Sequence, residues 1–318
     1  MIRYLKYQDI DKKKWDKCIE ESFNETIYAY SWYLDIVCHK WEALVRDDYQ
    51  SVFPLTTGKK SGINYLYQPF FTQQLGVFSK NITEKKDVDI FLEAIPSKYK
   101  FVEINLNTFN KNNSKTYIST PNVTYELHLI NSYTDNYKNY SYNIKRNIKK
   151  AKEHNLSIKK NVNPAHIIEI FKKNRGKNIF TLNKKSYQIL RSLIYDCINR
   201  GRADITGVYT SKGDLCAGAF FIQSKKKVIF LFSATNKEAK TTGAMSLLID
   251  SFIKENSGRD IILDFEGSNN LNLARFYNGF GSEKNIYLQI KKNQLPYFIK
   301  KGVNLAKKIR KYYLNYAI

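Results

Sequence analysis

Apolar positions along this chain follow two periods. A helical period puts Trp15, Cys18 and Ile19 on one face of Lys13–Glu21. Shorter runs alternate or are continuously apolar, as strands are: Glu42–Arg46, Ser51–Pro54, Ile63–Tyr67, Leu75–Phe78, Phe101–Leu106 and Val123–Ile130. A short helix is predicted over Val88–Ile95. The second half repeats the theme. Pro164–Asn174 and Lys184–Asn199 have helical spacing, and Ala203–Tyr209, Cys216–Gln223 and Val228–Ser233 are successive strands. Gly243–Lys254 is helical, with Ala244, Leu247, Leu248 and Phe252 on one stripe. Ile261–Phe265, Leu271–Gly279 and Ile286–Ile290 follow as strand, helix and strand. Strands interleaved with helices predict an α/β or α+β chain with mixed sheets flanked by helices.

Between the halves, Tyr137, Tyr140, Ile144, Ile148 and Ala151 fall on one helical stripe, and Lys138, Lys145, Lys149 and Lys152 gather on its flank. This predicts one basic amphipathic helix, with a domain boundary near Ser132: residues 1–131 and 132–318. Pro296–Tyr316 has the pattern of a second basic amphipathic helix, able to dock on the domain, touch nucleic acid or lie on an acidic membrane.

Composition adds a charge. The 318 residues hold 52 Lys+Arg against 29 Asp+Glu, a formal +23 that favours anionic partners. A bias toward Lys, Asn, Ile and Tyr is an equally good source of that excess. Cys18, Cys38, Cys197 and Cys216 lie far apart, with no metal-ligand spacing, so free thiols and no metal are expected. The opening MIRYLKYQDIDKKKW has no signal-peptide apolar run, and the longest uncharged run, Ser61–Ser79, is too polar to span a bilayer. A soluble cytoplasmic protein is expected.

Several stretches resemble a known family. YNIKRNIKKAKEHNLSIKK is similar to the basic helix and strand that open the second domain of FemAB-type aminoacyltransferases. AGAFFIQSKKKVIFLFSATNKEAKTTGAMSLLIDSFIKE resembles their two central strands and following helix, and LDFEGSNNLNLARFYNGFGSEKNIYLQI their aspartate-glycine strand, short helix and Phe-Gly turn. In the first half, YSWYLDIV and YQPFFTQQLGVFS are similar to a FemAB-related group of acyltransferase-like proteins. The resemblance implies two tandem GNAT-like domains, the first degenerate. It implies transfer of an acyl or aminoacyl group from acyl-CoA or aminoacyl-tRNA to an amine acceptor, small or nucleotide-linked, in cell-wall (peptidoglycan) or surface-glycan metabolism.

Candidate site residues follow. Asp264 and Glu266, two apart at a strand end, share one face and suit deprotonation or orientation of an amine. Equally, Asp264 caps a turn and pairs with Arg275 or the Gly267-Ser268 amides. GNAT enzymes bind pyrophosphate with a Q/R-x-x-G-x-G/A loop; Lys240–Met245 matches half of it, leaving Thr241, Thr242 and Gly243 as an anion cradle or an ordinary helix cap. Gln68, Gln73 and Gln74 flank Pro69-Phe70-Phe71 and suit a polar ligand or hold an irregular loop. Lys145, Arg146 and Lys149 suit phosphates of an acceptor or of tRNA, or form a solvated face. Tyr277 falls on a packing stripe with Leu273, Phe276 and Phe280, and Arg275 faces away from it. The expected cleft lies between the domains, beside Gly243 and Asp264. The competing class is a non-catalytic GNAT fold that binds nucleic acid or anionic lipid through its basic surface.

Overall fold

A computed structural model describes residues 1–179, 182–266, 269–296 and 299. Two compact units form. One holds Met1–Asn122 with the described residues from Ile286 onward; the other is Val123–Asn285. The sequence pattern had set the boundary near Ser132. The basic C-terminal segment, Pro296–Tyr316, lies almost wholly outside the described residues.

The first unit runs β1 (Ile2–Leu5), α1 (Lys12–Glu21), α2 (Ser31–Val37), β2 (Glu42–Arg46), β3 (Ser51–Leu55), β4 (Thr57–Lys60), β5 (Ile63–Tyr67), β6 (Phe78–Ser79), α3 (Lys85–Glu93) and β7 (Tyr99–Asn105). Strands β1, β2, β3 and β6 pair antiparallel in that order. β4 pairs antiparallel with β5, and β5 parallel with β7. Asp11 caps α1 by accepting from the amides of Lys13 and Lys14. That turns the fully buried Trp15 onto Trp41, 4.6 Å between ring centroids.

The second unit begins in β8 (Ile118–His128). It continues through α4 (Tyr133–Lys138), α5 (Tyr142–Glu153), β9 (Ser157–Lys160), α6 (Pro164–Lys173), α7 (Lys184–Asn199), β10 (Ala203–Tyr209), β11 (Leu215–Gln223), β12 (Lys227–Thr235), α8 (Lys237–Thr242), α9 (Ala244–Asn256), β13 (Ile262–Asp264) and α10 (Leu271–Asn278). Strand β14 (Glu283–Asn293) pairs antiparallel with β7 from Gln289 to Asn293. β9, β10, β11 and β12 pair antiparallel in sequence; β13 joins β12 in parallel, and β8 joins β13 antiparallel. The missing side chain of Gly218 lets Ile167 of α6 sit on β11, where an added Cβ would meet its Cγ1 at 2.6 Å. Phe252 of α9 stacks on Phe221 at 4.0 Å, so the sheet is covered on both faces.

The single basic helix expected over 137–152 is two helices. Ser132 and Ser141 each accept from an amide in the following first turn, so each starts its own helix. The predicted stripe survives the break: Tyr140, Ile144, Ile148 and Ala151 are buried. The short helix α8 was not anticipated, because six residues give too little periodicity to recognise.

On α9, Asp250 is buried and accepts a 3.0 Å hydrogen bond from the Tyr133 hydroxyl. Burial pushes its carboxyl above the ordinary value, against the pull of Tyr133 and of the Lys152 and Lys254 charges. A raised carboxyl favours the protonated form in the fold. Stability is therefore lost as pH climbs from the ordinary carboxylate value through the folded one, and the cost is complete at neutral pH. Asp250→Asn, which keeps the acceptor and removes the charge, is expected to raise the urea midpoint at pH 7. That gain should vanish below about pH 4; a gain that persists there would assign it to packing.

Candidate active site at the end of β13

β13 is three residues long and ends on Asp264, whose neighbours across the sheet are Ile229 of β12 and Glu126 of β8. The side chain is 3% exposed. Oδ1 accepts from the Thr124 hydroxyl at 2.6 Å and from the Glu266 amide at 2.8 Å. Oδ2 faces the Lys227 ammonium at 3.4 Å. Lys227 also donates to Glu126 Oε1 at 2.5 Å, and Asn285 donates to Glu126 Oε2 at 2.6 Å. Two buried carboxylates and a largely covered ammonium on adjacent strands thus meet, the carboxylates sharing one cation. Burial pulls the Lys227 ammonium down, but the charges of Asp264 and Glu126 outweigh it and hold it above the ordinary lysine value. Both Asp264 oxygens are engaged, Oδ1 by two donors and Oδ2 by the Lys227 ammonium. Its partners are Lys227, Thr124 and the Glu266 amide, and the Gly267-Ser268 alternative lies outside the described residues.

Past Asp264 the chain turns sharply. Phe265 is buried and its amide still reaches β8, donating to the Tyr125 carbonyl at 2.9 Å. Glu266 then takes a left-handed conformation, φ +52°. A non-glycine residue there costs roughly 1–3 kcal/mol, which the surrounding structure must offset. At the same point the sheet opens. The parallel register of β12 with β13 ends at Ile229↔Asp264, while β12 runs on to Thr235. Among the described residues Phe230–Thr235 has no strand partner on that side.

Tyr277 of α10 lies over this opening. Its ring stacks on Phe265 at 5.0 Å and 15°, and meets Phe230 edge-on at 6.3 Å. Burial pushes its phenol up to about 12, with Arg175 drawing it down and Glu266 pushing it up. A cation, a carboxylate and a protonated phenol are therefore within electrostatic reach of one another. Arg175 comes from the short 3-10 turn Arg175–Asn178 after α6. The sequence alone marked Tyr277 as core and passed over Arg175, Lys227, Thr124 and Glu126. Glu126 did leave a signal, as an acidic residue at an inward position of an alternating strand. Lys227 was hidden in the run Lys225-Lys226-Lys227.

The other candidates fall elsewhere. Thr241 and Thr242 both donate to the Glu238 carbonyl of their own helix at 2.9 Å. Gly243, φ +78°, joins α8 to α9 and lies against α5: an added Cβ would meet the Asn147 carbonyl at 2.4 Å. The glycine serves helix packing there, and the hydroxyls are engaged. Lys145 donates to the Lys138 carbonyl and covers the Tyr137 ring. Arg146 bonds Asn143, and Lys149 is 3.9 Å from Glu153 and largely exposed. These three form the outer side of α5. Arg275 is exposed on α10.

Gln68, Gln73 and Gln74 belong to the first unit. Gln68 bridges the Thr72 carbonyl and the Asn105 amide, the Gln73 carbonyl accepts from Asn105, and Gln74 bridges Gln73 and the Thr108 amide. Tyr33 donates to the Phe71 carbonyl. The amides hold an irregular loop in which Phe71 has φ +60°. Among the described residues no group of His, Cys, Asp and Glu could hold a metal ion.

No protein-family model matches this chain, and no curated protein matches it. Solved structures do. FemX superposes with TM-score 0.61 at 11% identity, covering 90% of this chain and 96% of FemX. A conserved protein of unknown function from Bacteroides thetaiotaomicron gives 0.58 at 11%, covering 92% and 99%. The C-terminal domain of a putative lysylphosphatidylglycerol synthetase from Agrobacterium fabrum gives 0.54 at 8%, covering 89% and 91%. The chain has the fold of FemX and of that synthetase domain, a FemAB-like fold. Its second unit carries the opened pair β12 and β13, with Tyr277 over it.

The ion cluster yields a stability prediction. Replacing Lys227 by Met leaves Glu126 and Asp264 facing each other without a cation, which should cost about 3–5 kcal/mol at pH 7. Urea denaturation of Lys227→Met should show a smaller loss near pH 4, where the carboxylates can take up protons. A loss independent of pH would remove the charge cluster as its cause.

Proposed function

We propose that this chain transfers an acyl or aminoacyl group from an activated donor to an amine, at the opening between β12 and β13. The observation that carries the reading is the end of the β12·β13 ladder at Ile229↔Asp264, with β12 continuing to Thr235 beneath Tyr277. A strand edge with no partner offers amides and carbonyls to an extended, amide-bearing donor arm. FemX and the lysylphosphatidylglycerol synthetase domain have the same fold, and the second of these is named for an aminoacyl lipid.

The roles follow from charge. The attacking amine must lose a proton, and Glu266 is the carboxylate beside the opening. The amine nitrogen bonds to the acyl carbon, the bond to the leaving group breaks, and Tyr277 gives that group a proton. A phenol pushed up to about 12 stays protonated at neutral pH and can donate. That favours an ester donor over a thioester. A thiol ionises near about 8.5 and departs unaided, whereas a sugar hydroxyl departs as a strong base unless protonated. The engaged hydroxyls of Thr241 and Thr242 and the covered Gly243 support the same choice, an aminoacyl-tRNA-type donor. Arg175 is placed to hold an anionic group of a substrate.

The test is transfer from labelled aminoacyl-tRNA, against a panel of acyl-CoAs, to primary-amine acceptors. Tyr277→Phe and Glu266→Gln should each lower kcat by roughly 10²–10⁴ with donor KM nearly unchanged. Full activity in both variants, or transfer from acyl-CoA alone, would overturn this assignment.

A further inference from the structure

Resting on that assignment of the site, we infer that Asp264 is a positioning residue whose buried carboxylate holds the Glu266 amide, and with it the left-handed turn that sets Glu266 beside Tyr277. Four observations converge. Glu266 stands at φ +52°, a conformation that a glutamate rarely adopts unforced. Its amide donates to Asp264 Oδ1 at 2.8 Å. That oxygen is fixed by the Thr124 hydroxyl at 2.6 Å, and the other oxygen of the carboxylate by Lys227 at 3.4 Å. Lys227 is anchored in turn on Glu126, itself held by Asn285. Anchors from β8, β12 and the start of β14 thus converge on one carboxylate, and that carboxylate grips one backbone amide at the mouth of the opening.

This differs from a structural ion pair in what it controls. A pair needed only for stability would leave the geometry of Glu266 indifferent to its loss. Here removal of the carboxylate frees the amide and lets the backbone relax toward an ordinary φ, carrying the Glu266 side chain away from Tyr277. A displacement of the order of 1 Å at a reacting group costs about 10²-fold in rate. The fold should survive the change. Glu126 and Lys227 remain as a neutral buried pair, and the Phe265 amide keeps its bond to Tyr125.

The experiment compares full-length wild type with Asp264→Ala, Thr124→Val and Thr124→Ser. Amide hydrogen exchange is read first, because it needs no substrate. In Asp264→Ala the Glu266 amide should lose protection at least tenfold more than the Phe265 amide one residue before it. Thr124→Val should show a smaller loss, and Thr124→Ser should restore protection. The second readout is transfer from labelled aminoacyl-tRNA. Asp264→Ala should lower kcat by about 10²-fold with donor KM unchanged, and the acid limb of its pH profile should stay where the wild type has it. A shifted or abolished acid limb would make Asp264 the titrating base and overturn the positioning role. So would unchanged exchange at Glu266. Inactivity of the wild type with every donor would overturn the transferase assignment alone, since the exchange result still decides whether Asp264 holds the turn.

Discussion

One buried ammonium organises the second unit. Lys227 stands between Glu126 and Asp264, so a single cation ties β8, β12 and β13 together at the point where β12 and β13 part. Burying these charges is costly, and further donors to the two carboxylates offset part of that cost: Thr124, Asn285 and the Glu266 amide. A hydrophobic residue at position 264 would not hold the Glu266 amide that follows. The ion cluster is therefore better understood as a device for geometry than as a source of stability.

Geometry at that point decides the chemistry. A parallel pair of strands that stays in register gives a closed sheet and no site. Here the β12·β13 ladder stops, β12 runs on to Thr235 paired among the described residues with β11 only, and Phe265, Glu266 and Tyr277 lie beside the divergence. Burial raises the Tyr277 phenol to about 12, and it is protonated at neutral pH. The exposed Arg175 and the half-buried Glu266 act on that phenol in opposite directions. In the proposed reaction a phenol raised to about 12 suits a sugar-hydroxyl leaving group, while Gly243 packs against the Asn147 carbonyl of α5.

Much of the fold was legible in the sequence. Glu42–Arg46, Ile63–Tyr67, Lys184–Asn199 and Ala203–Tyr209 have the predicted bounds, because each has a strong period and clear punctuation. The two-helix break at Ser141 was missed because the apolar stripe runs through it, and a capping serine inside a continuous stripe is easily taken for a surface residue. The site was less legible. Asp264 and Glu266 drew attention as paired acids, but their division of labour depends on Lys227 and Thr124, distant in sequence and brought close only by sheet register. Gln68, Gln73 and Gln74 suited either a polar ligand or an irregular loop, because amides beside aromatics serve both purposes, and in the structure they bond within the loop.

The most direct test of the site is hydrogen exchange in the presence of a non-reactive donor mimic, an amide-linked aminoacyl-adenosine minihelix. Binding along the open strand edge should protect those amides of Phe230–Thr235 that point away from β11 and leave the α8–α9 junction around Gly243 unchanged. Protection centred on Thr241–Met245, with Phe230–Thr235 exchanging as before, would contradict the placement of the donor between β12 and β13.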